Sequence, residues 1–230
     1  MRALSVFLAS VMIAGIAFTS LGLEVDFEPS DYNPALGDSV VFEVTSSYAT
    51  DEAISYEWDF DEDGICDIST KEPYVECSFR KAGYARISLQ ATTSDGKRAT
   101  RCKGLLVGKS LLLAVREVSI EATGSILVSI TVAATTPVLP VAVQETVPVG
   151  WQVNILDAGG SFVKIEERSL QALWLSEIEA GRTNVICYRL QRSFGVGHPE
   201  LRGESTGYAK KTLIVMPICG DVYSSWESKP

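Results

Sequence analysis

Tyr56-Glu57-Trp58-Asp59-Phe60-Asp61-Glu62-Asp63-Gly64-Ile65-Cys66-Asp67 is the stretch on which the reading of this chain turns. Ile54, Tyr56, Trp58 and Phe60 recur at every second residue, so they share one face of a strand. The alternation then stops in an acidic loop that contains a glycine. An aromatic strand feeding an aspartate-rich turn offers two things at once, an anchor for a core and a set of oxygen ligands.

Short strands continue on both sides of this stretch. Val25-Asp26-Phe27 alternates, Asn33-Pro34-Ala35-Leu36-Gly37-Asp38 turns, and Val40, Phe42 and Val44 form one strand face. After the acidic loop come Val75 to Phe79, the turn Lys81-Ala82-Gly83, and the face Ala85, Ile87, Leu89 and Ala91. Ser94-Asp95-Gly96-Lys97 reads as a hairpin turn, and Thr100 to Val107 as the next strand. Beyond Lys109, alternation returns in Leu111, Leu113 and Val115, in Ile126 to Val132, in Val141 and Val143, and in Ile186, Tyr188 and Leu190. Ser193 to Gly207, rich in glycine and charge, reads as a loop, and Thr212 to Ile218 as a late strand. Regular short strands with turn signals predict an all-β fold of sandwich type. Trp58, Trp151 and Trp174 are expected in cores, and Trp226 at the surface.

The order of these pieces carries a resemblance. Asn33-Pro34, Gly37, Val40 and Phe42 are followed by Tyr56-x-Trp58-Asp59-Phe60-Asp61-x-Asp63-Gly64, then Phe79-x-Lys81-Ala82-Gly83, Ile87-x-Leu89 and Asp95-Gly96. Over residues 24 to 108 this resembles the PKD domain, an immunoglobulin-like sandwich of cell-surface and secreted proteins. One departure is that Gly83 is followed by Tyr84 and then Ala85, where the family often has Gly-x-Tyr; Tyr84 is therefore expected at the surface. In the second half, Pro148-Val149-Gly150-Trp151, Leu173-Trp174-Leu175 and Ala180-Gly181 before the Tyr188 strand resemble the immunoglobulin-like repeat domains of prokaryotic surface proteins. Together these imply two immunoglobulin-like β-sandwiches in tandem, residues 23–108 and 109–230, with Gly108 as the joint.

Residues 1–22 read as a secretory signal: Arg2, an apolar run from Ala3 to Phe18, and the small residues Ser20 and Gly22 before a cut at Leu23. The run is about 16 residues, short of the ~20 needed to span a bilayer. The alternative is an uncleaved signal anchor. The expected location is secreted or in the cell envelope, with no membrane span in the mature chain. Export exposes Cys66, Cys77, Cys102, Cys187 and Cys219 to an oxidising compartment. Cys66–Cys77 is the first expected disulfide and Cys187–Cys219 the second, leaving Cys102 over. The alternative is that several are buried free thiols.

A net charge of −9 and an isoelectric point near 4.7 argue against nucleic acid or an anionic membrane surface as partner. His198, the one histidine, has no nucleophile motif around it, and a histidine-based metal site would need more than one. The acidic loop is the candidate ligand site. Asp59, Asp61, Asp63 and Asp67, spaced D-x-D-x-D-G-x-x-D, supply hard carboxylate oxygens around a tight turn, as Ca²⁺ requires. Thr70 stands where an EF-hand has its bidentate glutamate, and the flanks are strands rather than helices. The competing reading is a solvated turn whose aspartates bind backbone amides. The functional expectation is a non-enzymatic adhesion, spacer or protein-interaction module, with calcium as the one cofactor to consider and an extracellular protein or polysaccharide as partner. A carbohydrate-binding accessory protein is the alternative, and an uncharacterised hydrolase a more distant one.

Overall fold

The computed structural model describes residues 25–45, 53–121, 123–192 and 199–225. The expected signal peptide, His198 and Trp226 lie outside them. Among the described residues there are strands and turns and no helix.

The first half packs two sheets face to face. One holds β1 (Phe27–Pro29), β2 (Ser39–Val44) and β5 (Tyr74–Ser78); the other holds β4 (Ile68–Thr70), β3 (Ala53–Asp59), β6 (Gly83–Thr93) and β7 (Arg98–Val107). Their inward residues are those that the two-residue period selects: Val40, Phe42, Tyr56, Trp58, Ile87, Leu89 and Ala91 are all buried. Trp58 is fully buried at the centre, stacked on Phe60 at 6.1 Å and met edge-on by Phe27 at 5.2 Å, offset and T-shaped geometries that suit aromatic rings.

In the second half, β8 (Leu112–Ile120), β9 (Ile126–Ala134), β14 (Thr183–Arg192) and β11 (Trp151–Asp157) form one layer. The facing layer is β12 (Phe162–Glu166), β13 (Ser169–Trp174), β10 (Val141–Thr146), β15 (Arg202–Ala209) and the start of β16 (Thr212–Ser225). Trp151 and Trp174 are both buried here, as expected, and Trp174 Nε1 donates to the Gly159 carbonyl at 2.8 Å.

The expected loop at 193–207 ends early, because Arg202–Ala209 is a strand. Its glycines are packing residues: a Cβ on Gly203 would lie 2.6 Å from the Gln144 carbonyl oxygen, and one on Gly207 2.5 Å from Val138 Cγ1. Side chains at either position would push β10 or its approach away.

β16 runs further than the expected Thr212–Ile218. Residues up to Pro217 pair with β15, Ile218 to Gly220 pair parallel with β8, and Gly220 to Ser225 pair antiparallel with β7. The C-terminal strand thereby joins the halves in one nine-strand sheet, β4-β3-β6-β7-β16-β8-β9-β14-β11. Asn33 clasps the connection between β7 and β8. Its Nδ2 donates to the Leu106 and Gly108 carbonyls, both at 2.7 Å, and its Oδ1 accepts from Ser110 N at 2.8 Å.

The cysteines do not pair: all five are free thiols. Cys66 is exposed before β4, whereas Cys77 lies on β5 in the opposite sheet and packs toward the core. Cys187 on β14 pairs with Ser129, and Cys219 on β16 with Val115, so two strands stand between them. Three strand spacings make about 14 Å, beyond the ~7 Å that a disulfide tolerates between Cα atoms.

Tyr84 is exposed, as expected. Its hydroxyl end nonetheless lies in the space that the missing side chain of Gly104 leaves open, 2.1 Å from where a Cβ would sit. Burial of that end pushes the phenol up to about 12. Burial likewise pushes the Cys219 thiol up to about 12, against the opposing pull of Arg116. Tyr32 and Tyr188 are raised as well, burial being the main cause. The unfolded chain gives up these protons near the ordinary values of 9 for a thiol and 10 for a phenol, while the folded chain keeps them. The folded state thus holds more protons, and its stability falls as pH rises from about 9 to about 12. In an alkaline titration, the tyrosinate absorbance of these residues should appear together with loss of the β-sheet circular dichroism signal. A smooth titration of all tyrosines near 10 with the fold intact would contradict this.

Candidate functional site

The acidic loop hangs from the end of β3. Trp58 and Phe60 point into the core, so Asp59 is turned toward the loop side of the strand. The chain then reverses through Glu62, at φ 57°, and Gly64, at φ 82°; the second is a left-handed position that glycine occupies without strain. It returns to hydrogen-bond β3, with Asp67 N donating to the Trp58 carbonyl at 2.8 Å.

Aspartates hold the loop by accepting from its amides. Asp59 Oδ1 accepts from Glu62 N at 2.6 Å and Asp61 N at 3.3 Å, and Asp59 Oδ2 from Gly64 N at 2.9 Å. Asp67 Oδ2 accepts from Phe60 N at 2.8 Å, and Asp63 Oδ1 from Ile65 N at 2.7 Å. The turn reading therefore describes Asp59, Asp63 and Asp67. Asp61 gives its amide to this network.

Three of the four expected residues also converge. One carboxylate oxygen each from Asp59, Asp61 and Asp67 lie within 4.8 Å of one another. Asp63 is not in that group. Thr70 Oγ1 accepts from Glu72 N at 2.9 Å in the next turn. Calcium takes 6–8 oxygens at about 2.3–2.6 Å. The donor chemistry fits, but three carboxylates, two of them already bonded to amides, leave most of the shell to water. Arg86 on β6 lies beside the loop, 2.9 Å from Glu62 Oε1 and 3.3 Å from Glu200 Oε1.

Two further features have no signal in the sequence. A cleft of about 290 Å³ opens at the β8–β9 turn and the ends of β11 and β14, lined by Thr123, Gly124, Ser125, Gln152, Gln191 and Arg192. These residues are far apart in the chain and ordinary in type. The second is a group of charges where the halves meet, of which Arg101, Lys103 and Asp221 are buried. Arg101 Nη2 lies 2.7 Å from Asp221 Oδ1 and Arg101 Nε 3.1 Å from Asp26 Oδ1. Lys103 pairs with Glu28, with Asp26 at 3.3 Å and with Asp221 at 3.5 Å. These acids and the raised Lys103 pKa go together: burial lowers it, and Asp221, Asp26 and Glu28 more than offset that.

Residues 24–103 match the PKD domain family. No curated protein sequence matches the chain. Among solved structures, the chitinase ChiA74 from Bacillus thuringiensis is similar at a TM-score of 0.41 and 16% identity, over 72% of this chain and 26% of that one. The full-length major pilin SpaD from Corynebacterium diphtheriae is similar at a TM-score of 0.41 and 7% identity, over 76% of this chain and 59% of that one. The chain thus spans about a quarter of the chitinase and about three fifths of the pilin.

The hydrogen bonds separate the roles of the aspartates. Asp59→Ala removes acceptors from three amides and should cost about 1–2 kcal/mol in urea unfolding. Asp61→Ala should stay within about 0.5 kcal/mol of the parent. Equal costs would mean that Asp59 does not hold the loop.

Proposed function

Because residues 24–103 match the PKD domain family, we propose that this chain works outside the cytoplasm as a non-enzymatic adhesion, spacer or protein-interaction module of the cell envelope or secreted space. The observation that carries this reading is the return of β16 between β7 and β8. It makes the two halves one continuous sheet, with buried ion pairs in place of a flexible linker. A body of that kind suits holding a surface at a fixed distance, or presenting it to a partner. The acidic surface fits an aqueous, cation-containing exterior. Protease added to intact cells that express the chain should degrade it while a cytoplasmic marker survives. Full protection, with recovery from the cytosolic fraction, would overturn the reading.

A carbohydrate-binding role is the second reading, favoured by the cleft where Gln152, Gln191 and Arg192 present planar amide and guanidinium groups. Retention of the chain on an insoluble polysaccharide, lost in Gln152→Ala plus Gln191→Ala, would select it.

We also propose weak calcium binding at the loop, through Asp59, Asp61 and Asp67. Its affinity belongs with extracellular modules, about 10⁻⁴–10⁻³ M, because so few protein ligands contribute. Millimolar calcium should raise the melting temperature of the parent and not that of Asp61→Asn, which removes a charge and leaves the Asp59 hydrogen bonds in place. No calcium effect on the parent ends the idea.

A further inference from the structure

The outer face of the β16-β15-β10-β13-β12 layer has an order that the function proposed above does not use. Alternation puts Val141, Val143 and Glu145 of β10 inside and Ala142, Gln144 and Thr146 outside. The strand registers then align the outward residues in rows. One row crosses the whole layer: Val215, Thr206, Ala142, Leu173 and Phe162. The neighbouring row carries Leu213 and Tyr208. Phe162 is 67% exposed, Leu213 52% and Val215 48%. Contiguous apolar surface of this kind marks an interaction site.

The charges beside it say what the site fits. The next row runs from Glu204 on β15 through Gln144 and Gln171 to Lys164 on β12. The row after that runs from Arg202 on β15 through Thr146 and Ser169 to Glu166 on β12. Going along the strands, β15 reads negative then positive, and β12 positive then negative. A two-fold axis parallel to the strands, lying in front of the layer between β10 and β13, keeps each row and exchanges β15 with β12. It sets Glu204 against Lys164 of a second copy, Arg202 against Glu166 of that copy, and apolar row against apolar row. Two sheets packed this way lie about 10 Å apart with a twist near 30°, which long side chains span. Among the described residues, Lys164 pairs with Glu166 at 2.5 Å and Arg202 with Glu200 at 2.9 Å, both exposed pairs. Such pairs are worth little and exchange partners at little cost.

We infer that this face binds a second copy of the same chain, as an isologous dimer. The inference rests on the pattern of the face and not on where the protein resides. Five strands of about six residues present roughly 24 by 20 Å, at the small, transient end of interface sizes, so the dimer is weak, with a dissociation constant on the order of 10 μM.

Sedimentation velocity on the chain from residue 23, which carries every described strand, tests this. A reversible monomer–dimer equilibrium is expected between roughly 1 and 100 μM. Phe162→Lys should abolish it. Glu204→Lys should weaken it at least about tenfold by facing Lys164 of the other copy with like charge, and Glu204→Lys combined with Lys164→Glu should restore it. All three positions are exposed, and melting curves check that the variants stay folded. A monomer at about 100 μM, or a dimer indifferent to Phe162→Lys and to the charge exchange, would overturn the inference. A monomer whose apolar row instead retains a polysaccharide would do the same.

Discussion

The guanidinium of Arg116 sits where β8, β10, β16 and the approach to β15 meet, almost fully buried. It lies 2.5–2.8 Å from Glu145 Oε1, donates to the Asp221 carbonyl at 2.8 Å, and reaches the Leu201 carbonyl at 3.5 Å. Burying such a pair gains little by itself, because desolvation offsets most of the attraction; removing one partner is what costs, about 3–5 kcal/mol. The value of the arrangement lies in the path it imposes on β16. Gly220 passes so close that a Cβ there would stand 2.1 Å from the Arg116 carbonyl oxygen. Next to it, the Asp221 carboxylate meets Arg101 and accepts from Val118 N at 2.7 Å. A slip of one residue would turn Asp221 to the other face. It would leave Arg101 and Lys103 buried without a main counter-charge and bring a side chain against Arg116. Only one register satisfies every group, and that register places β16 between the halves.

What the sequence disclosed followed from periodicity. Trp58, Phe60 and the Val40–Phe42 face could be read because one side of each strand is dry and the other wet. The far end of β16 could not, since Ile218, Cys219, Gly220, Asp221 and Val222 are all buried. With neighbours on both faces and both edges, alternation disappears. Arg101, Lys103 and Arg116 carry no signal of their burial: charge in an alternating strand suggests water, whereas here each meets an acid from a distant segment. β15 was hidden by Gly203 and Gly207, which signal a loop in sequence and a close approach in the fold. Among the cysteines the free-thiol alternative holds rather than the two expected pairs, because spacing along the chain says nothing about which sheet each occupies. In the acidic loop the four aspartates were legible as a group. That Asp63 would turn to its own Ile65 amide, leaving Asp59, Asp61 and Asp67 to converge, depends on the backbone at Glu62 and Gly64, which residue types alone do not specify.

The loop and the joint between the halves are also linked electrostatically. Four aspartates on a short turn repel one another, and two sets of contacts compensate. Amides supply one part, since Asp59 and Asp67 accept four of the bonds from the loop backbone. Arg86 supplies another from β6: it pairs with Glu62 of the loop and with Glu200, which pairs in turn with Arg202 at the start of β15. These surface pairs are individually weak. Their effect is positional, a file of alternating charge leading from the acidic loop to Arg202, the first residue of β15. The loop is therefore stable as a turn before any cation arrives. A cation would compete with amides for Asp59 and Asp67 and would find only Asp61 unengaged by the turn. That competition, more than any lack of negative charge, would limit the affinity of the loop for a cation.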